Sequence, residues 1–155
     1  MTIAARRFVP LASSSVDEHD WDARVDHLER EGLDLLGVVT TAATWAGQLA
    51  WPVRRIFDIG SGPGVGTCAL ARCFPEARVV AVDGSRPMLE RAAKRSRSLG
   101  VDDRVSTKLV ELPNGLEGLG PADIVFASMS LHHLPDPNRV LAVLAGCSPT
   151  EVSSW

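Results

Sequence analysis

The chain has 155 residues, of which 45% are hydrophobic and 23% are charged, so it is long enough to bury the core of one ordinary domain. Its net charge of -3 and its pI of 5.8 leave no broad basic surface to neutralise phosphates, which argues against nucleic acid as a partner. A small-molecule ligand fits this composition better.

The chain shows no pattern of a membrane segment or of a metal site. No apolar run approaches the roughly 20 residues that a membrane-spanning helix needs, so we expect a soluble protein without a membrane partner. The three cysteines, Cys68, Cys73 and Cys147, have no paired spacing and follow no visible secretory signal, which predicts reduced thiols in the cytoplasm. Cys68 and Cys73 point to different sides of a predicted helix and suit small core fillers, so no metal is expected.

The first third of the chain is helical by its pattern. A flexible tail is expected over residues 1–15. In 16–52 the apolar residues recur at steps of three, four or seven, which indicates an amphipathic helical cap. Gly32 and Gly37 each cost about 1 kcal/mol inside a helix relative to alanine, which favours a break into two helices near them.

From residue 53 onward short apolar runs alternate with helical patterns, as in βαβ units on a parallel sheet. This predicts an α/β core over 53–147 and a short polar tail over 148–155. Ser85 as the N-cap, Pro87 in the first turn and Gly100 after the end bound one of the helices. The β-branched and apolar residues of the strands are typical of buried strands. Strands are predicted at 54–59, 78–82, 104–110 and 122–127, and helices at about 65–74, 87–99 and 138–145.

The clearest chemical signal is an apolar strand that leads through Asp58 into a loop with alternate glycines, Ile-Phe-Asp-Ile-Gly-Ser-Gly-Pro-Gly over 56–64. Glycine lets the backbone turn tightly and approach a ligand, and the following helix offers N–H groups. We therefore expect a ligand pocket at the carboxyl end of this strand. A dinucleotide-binding loop would want glycine or alanine where Val65 stands, and Asp58 would repel a pyrophosphate. A cationic ligand suits Asp58 better.

The segment 58–64 resembles the first motif of class I S-adenosylmethionine-dependent methyltransferases, and the resemblance extends over residues 53–145. It implies a three-layer Rossmann-like α/β sheet, here truncated to about four parallel strands in the order 3-2-1-4, with N-terminal helices. It also implies transfer of a methyl group from S-adenosyl-L-methionine to a small-molecule acceptor. The ammonium and sulfonium groups of that cofactor fit a carboxylate at Asp58.

The resemblance also implies which residues bind the cofactor. Asp83, just past the second strand, matches the acid that accepts hydrogen bonds from both ribose hydroxyls, although an acid here also suits a helix start. Met88 would flank the adenine or belong to the helix core. Glu111 would accept from the adenine amino group or be a solvated loop acid. The expected cofactor-binding residues are Asp58, Gly60, Ser61, Gly62, Gly64, Asp83, Gly84, Met88, Glu111, Leu112 and Ser128.

The segment 128–135 resembles the part of small-molecule methyltransferases that lies under the transferred methyl group. His132 or His133 would serve there as a general base for a hydroxyl acceptor, or would only cap the next helix. The segment lacks the Asn/Asp-Pro-Pro-aromatic signature of members that methylate adenine or glutamine, which argues against nucleobase methylation. Trp21 and Trp45 pack in the core by their helical spacing, or face the sulfonium as cation-π partners.

The chain departs from the family pattern at its end. Full members have three more strands, whereas residues 148–155 are polar and short. Three hypotheses therefore stay open: a small-molecule methyltransferase, a truncated homologue that binds cofactor or a partner chain without turnover, and a nicotinamide-dependent oxidoreductase. The fourth strand would form an apolar sheet edge, which predicts self-association through it.

Overall fold

The computed structural model describes residues 24–49, 52–112, 114–116, 118–131 and 136–146. These residues form five helices and four strands, in the order that the sequence predicts, and from β1 onward their ends lie within one or two residues of the predicted ones. None of the helices in these ranges is long and apolar enough to cross a membrane. The elements are α1 Val25–Asp34, α2 Leu36–Leu49, β1 Arg55–Ile59, α3 Val65–Cys73, β2 Arg78–Asp83, α4 Arg86–Ser98, β3 Val105–Leu109, β4 Ile124–Phe126 and α5 Pro137–Ala145.

The helix boundaries follow local signals in the chain. The break between α1 and α2 falls at Leu35, between Gly32 and Gly37. Ser85 caps α4, because its Oγ accepts a hydrogen bond from the backbone N–H of Met88. Gly100 follows this helix with a φ of +65°, the left-handed conformation that ends many helices.

All four strands are parallel and stand in the order β3-β2-β1-β4, as predicted. In the register of the sheet, Phe57 of β1 lies between Val80 of β2 and Val125 of β4. The chain adds β2 and β3 on one side of β1 and then crosses back to place β4 on the other side. Where the strand order reverses in this way, the loops at the carboxyl ends diverge and leave a crevice.

Alternation along β1 sends its side chains into two hydrophobic cores. Ile56 joins a cluster with residues of α2 and α3, whereas Phe57 and Ile59 join a cluster with residues of α5. Helices therefore cover both faces of the sheet and make three layers. Asp58 shares the face of Ile56 and points toward α3. The two-residue period of the strand thus places a carboxylate inside the fold.

Packing predictions for β3 and for α2 are wrong. The strand β3 is not buried, because it forms an edge of the sheet, and its Leu109 is 48% exposed. Trp45 does not pack in the core, since its side chain is 54% exposed. Helix α2 buries Val39 and Ala43, which lie one turn apart, and Trp45 lies off that face.

The two cysteines of α3 differ in burial. Cys68 is a buried core residue, as predicted, and burial raises the pKa of its thiol to about 11. Cys73, at the end of the helix, is exposed, so its assignment to the core is wrong. The predictions for Trp21, Cys147 and the tails 1–15 and 148–155 lie outside the described residues.

Candidate functional site

A cavity of about 540 Å3 opens at the carboxyl ends of the strands, where the strand order reverses. Its volume lies in the range of small-molecule sites. Residues near or just after the carboxyl ends of all four strands line it, together with residues of α1 and α2. All the residues expected to bind cofactor line this cavity except Gly64. The fold therefore gathers side chains that the chain spreads from Asp58 to Ser128.

The glycine loop turns back over the end of β2. The backbone N–H groups of Gly60 and Ser61 both donate to the carbonyl oxygen of Val82, at 2.8 and 3.1 Å. Gly60 has a φ of +66°, and a Cβ atom there would lie 2.2 Å from the Cβ atom of Ser130. Ser130 Oγ donates to the carbonyl oxygen of Ile59 at 2.8 Å. Position 60 must therefore be glycine for the segment after β4 to lie against the loop.

Gly64 lies beneath the cavity rather than on its wall. It is the N-cap of α3 and has a φ of +80°. A Cβ atom at this position would lie 2.5 Å from the Cβ atom of Ala92 in α4. The last glycine of the loop thus lets α3 and α4 pack closely, while the earlier ones shape the cavity.

Asp83 joins the loops that follow β1 and β2. Its Oδ2 accepts from the backbone N–H of Gly62 at 2.8 Å, and its Oδ1 accepts from that of Ser85 at 2.9 Å. The side-chain cap of α4 is Ser85 and not Asp83. A carboxylate oxygen can accept more than one hydrogen bond. Both loops therefore hold the carboxylate of Asp83 in a fixed orientation at the cavity wall.

Asp58 is a buried carboxylate at the cavity wall. It is 3% exposed, and Thr67 Oγ1 donates to its Oδ2 at 2.6 Å. Burial raises the pKa of Asp58 to about 6; the hydrogen bond from Thr67 opposes this rise, and the charge of Asp83 adds to it. Asp58 is expected to bind the cofactor, but its Oδ2 already accepts a hydrogen bond from within the protein. A cation in the cavity would offset the cost of the buried charge.

Ser61, at the cavity wall, has a buried hydroxyl without a hydrogen-bond partner within the described part of the chain. The residue is 9% exposed and lines the cavity. A buried polar group without a partner costs about 1 to 3 kcal/mol.

The other predicted site residues fall in three places. Met88 is 2% exposed and also lines the cavity, so it is both a core residue and a wall residue. Glu111 is exposed and lines the cavity after β3, whereas Trp45 does not line it. His132 and His133 lie outside the described residues, so their roles stay predictions. Within the described ranges no group of three or more potential ligands could hold a metal ion.

The helices α1 and α2 supply a wall of the cavity, as the resemblance implies for N-terminal helices, through residues that the sequence analysis did not assign. Leu28, Gly32, Leu35 and Val39 line it. These residues lie three or four positions apart, so the apolar period that predicts the helices also marks this face. A Cβ atom at Gly32 would lie 3.1 Å from the Cβ atom of Val65, so glycine there lets α1 lie against the start of α3.

A cluster of opposite charges holds α1 against α4, and we call Asp26, Glu29, Arg91 and Arg95 the α1–α4 charge cluster. Arg91 donates to Glu29 at 2.5 Å and to Asp26 at 2.6 Å, and Arg95 donates to the other oxygen of Glu29. Burial raises the pKa of Glu29, but the hydrogen bonds and charges of Arg95 and Arg91 outweigh this and hold it below its ordinary value. The cluster therefore holds α1 in place, and the next turn of α1 contributes Glu31 and Gly32 to the cavity wall.

Comparisons with known proteins agree with this architecture. The family model of the methyltransferase domain matches residues 57–147. Trans-aconitate 2-methyltransferase from Methylobacterium nodulans is 31% identical over 131 residues, which cover 81% of this chain and 45% of that protein. Carboxy-S-adenosyl-L-methionine synthase from Aeromonas salmonicida is 28% identical over 144 residues, covering 92% and 57%. The chain spans between 24% and 57% of the length of the first curated relatives that it matches.

A solved structure shares the same fold. The N-terminal domain of EvdMO1 with SAH bound superimposes on this chain with a TM-score of 0.65 and 24% sequence identity. The similarity covers 71% of this chain and 46% of that one. At this level of identity the likeness concerns the fold.

Proposed function

The chain belongs to the methyltransferase domain family, and on that premise we propose that it binds S-adenosyl-L-methionine in the cavity and transfers the methyl group to a small-molecule acceptor. The bound cofactor supplies a methyl group on a sulfonium, which is a good leaving group. Positioning two reactants beside each other can lower a barrier by up to about 7 to 11 kcal/mol. The protein's main task would therefore be to hold the cofactor and the acceptor in line.

The observation that carries this proposal is the meeting of Asp58, Ser61 and Asp83 in one cavity at the switch point of the sheet. Asp83, held by two backbone N–H groups, would accept from the ribose hydroxyls. Ser61 Oγ would gain the partner that it lacks from the amino-acid portion of the cofactor. Asp58 would face the cationic end. Gly84 and Met88 would flank the adenine.

The remaining contacts extend this arrangement toward both ends of the cofactor. Glu111 and Leu112, at the cavity wall after β3, would meet the edge of the adenine. Ser128, just after β4, would lie toward the transferred methyl group. His132 or His133 would act as the general base if the acceptor is a hydroxyl that must lose its proton.

Isothermal titration with S-adenosyl-L-methionine, S-adenosylhomocysteine and the oxidised and reduced nicotinamide dinucleotides tests the cofactor. We expect the two adenosyl ligands to bind at least about tenfold more tightly than either dinucleotide, because Asp58 attracts a cation and repels a pyrophosphate. Comparable affinity for a dinucleotide would overturn the proposal in favour of an oxidoreductase.

The substitution Asp83→Ala tests the proposed ribose contact. It removes charge-assisted hydrogen bonds worth about 1.5 to 3 kcal/mol each, so the Kd for S-adenosylhomocysteine should rise by about ten- to a hundredfold. Asp103→Ala removes an exposed acid outside the cavity and is the matched control. Thermal melts of both variants show whether the fold persists. An unchanged Kd for Asp83→Ala would remove this residue from the site.

A further inference from the structure

The cavity is lined by four carboxylates that come from four different elements. Glu31 belongs to α1, Asp58 to β1 and Asp83 to the end of β2, and Glu111 follows β3. Among the described residues that line the cavity there is no lysine, arginine or histidine. These described residues give the wall of the cavity a negative charge.

The proposed cofactor accounts for three of these four acids. In the proposed function Asp83 meets the ribose, Glu111 the adenine edge and Asp58 the cationic end. Glu31 stands apart from them, on the helical wall that the cofactor-binding motifs do not include. Its side chain is 51% exposed and lies 3.2 Å from His27 Nε2, one helical turn away, so it sits at the rim of the cavity. Glu31 is thus positioned to meet a second ligand.

The wall beside Glu31 is apolar. Leu28 and Leu35 lie one turn to either side of it on the helical wall, and Phe126 and Met129 line the cavity from the end of β4. Met129 has a φ of +57°, a costly conformation for a residue other than glycine, and is 65% exposed. Strained backbone of this kind is concentrated at ligand sites.

The packing of the helix places this wall next to the glycine loop. Gly32 lies against Val65, and a Cβ atom at the neighbouring Gly66 would lie 3.4 Å from Asp58 Oδ2 and 3.7 Å from Phe126 Cε1. The apolar wall and the cationic end of the proposed cofactor therefore adjoin one space. Ser61, whose buried Oγ has no partner within the described residues, lines the same cavity.

We propose, on the basis of the proposed function, that the methyl acceptor is a largely apolar molecule without negative charge, and that Glu31 is the residue that disfavours anionic acceptors. An anion between α1 and β4 would meet the like charge of Glu31 at the rim, whereas the charge of Asp58 is matched by the cationic end of the cofactor. The side chain of Glu31 is half exposed, so this repulsion is screened by salt and is largest at low ionic strength. A neutral or cationic acceptor meets no such repulsion and buries its apolar body against the leucines.

Ligand-observed NMR with three probes of one shape tests this proposal. Benzylamine, benzyl alcohol and benzoate carry positive, zero and negative charge on the same apolar ring. With the full chain saturated by S-adenosylhomocysteine, at low salt and neutral pH, we expect benzoate to bind at least about tenfold more weakly than benzyl alcohol. Benzoate that binds as tightly as benzyl alcohol would overturn the proposal.

Charge reversal on α1 identifies the residue responsible. Glu31→Lys should improve the affinity for benzoate relative to benzyl alcohol by about tenfold, and Glu31→Gln should have a smaller effect in the same direction. Asp34→Lys makes the same charge change on the same helix outside the cavity and should leave the ratio unchanged. Equal changes of this ratio in Glu31→Lys and Asp34→Lys would show that the overall charge of α1 determines it, and would contradict the role of Glu31.

Titration of each variant with S-adenosylhomocysteine separates the two proposals. Loss of this binding in the unaltered chain would overturn the proposed function itself. Normal binding of S-adenosylhomocysteine together with a preference for benzoate would overturn only the charge preference of the acceptor site.

Discussion

At the scale of single residues, Asp58 couples the cavity to the stability of the fold. Its burial beside Thr67 raises its pKa from the ordinary 3.8 to about 6. Between these values the native chain binds a proton that the unfolded chain has released. The free energy of unfolding therefore falls as the pH rises from about 4 to about 6. Above pH 6 the native state keeps this loss of stability, because the buried carboxylate is charged there.

Replacing Asp58 by asparagine should remove this cost. The amide oxygen can still accept from Thr67, but no charge is buried, so Asp58→Asn should raise the free energy of unfolding near neutral pH by about 2 to 3 kcal/mol. Near pH 4 the gain should be small, because the native carboxyl is already protonated there. Denaturant unfolding at both pH values provides the measurement. A gain of the same size at both would contradict the assigned pKa.

At the scale of elements, α1 forms a wall of the cavity because charged side chains hold it. The α1–α4 charge cluster pairs each carboxylate oxygen of Glu29 with a different arginine, and the side chain of Glu29 is only 20% exposed. Partly buried, doubly hydrogen-bonded charges contribute more than exposed pairs. The contribution of Glu29 to the free energy of unfolding is present at neutral pH. It is lost as acidification protonates Glu29, because the pKa of this residue is lowered in the folded state.

The substitution Glu29→Gln should loosen α1 without unfolding the sheet. It removes two charge-assisted contacts, so amide hydrogen exchange across α1 should indicate a loss of about 1 to 2 kcal/mol in local protection. Glu76→Gln is the matched control, since the pair of Glu76 with Arg54 is exposed on both sides and should change stability by less than about 0.5 kcal/mol. Equal protection of α1 in the two variants would mean that apolar packing alone holds this helix.

At the scale of the whole molecule, the two edges of the sheet differ in character. The edge strand β3 carries Ser106, Thr107 and Lys108, which are polar. The opposite edge strand β4 consists of Ile124, Val125 and Phe126, and within the described residues no strand pairs with its outer side. Unpaired apolar edges are prone to pair with other chains, whereas lysine and other polar residues discourage such pairing.

We therefore expect the 155-residue chain to self-associate through β4 or to protect this strand weakly. Sedimentation velocity over a range of concentrations should detect the association, and hydrogen exchange should show more protection in β1 than in β4 if the chain stays monomeric. The polar edge β3 serves as the internal reference. A monomer at all concentrations, with β4 as well protected as β1, would refute this prediction.

The sequence by itself determined the elements and the position of the cavity. Apolar periods, the Ser85 cap and the glycines at 60 and 62 depend on neighbouring residues, so they can be read along the chain. The resemblance to a family supplied the strand order, which no local pattern contains. From these, the carboxyl ends of the strands and the acids Asp58 and Asp83 could be predicted at one cavity.

Only the tertiary structure decided which long-range partners these residues have. The hydrogen bond from Thr67 to Asp58, the contact of Gly64 with Ala92 and the pairing of Glu29 with Arg91 join separate elements. Such contacts depend on how helices cross and on which faces they bury, and neither leaves a mark on neighbouring residues of the chain. For the same reason the residues that form the helical wall could be identified only once α1 was packed on α3 and α4.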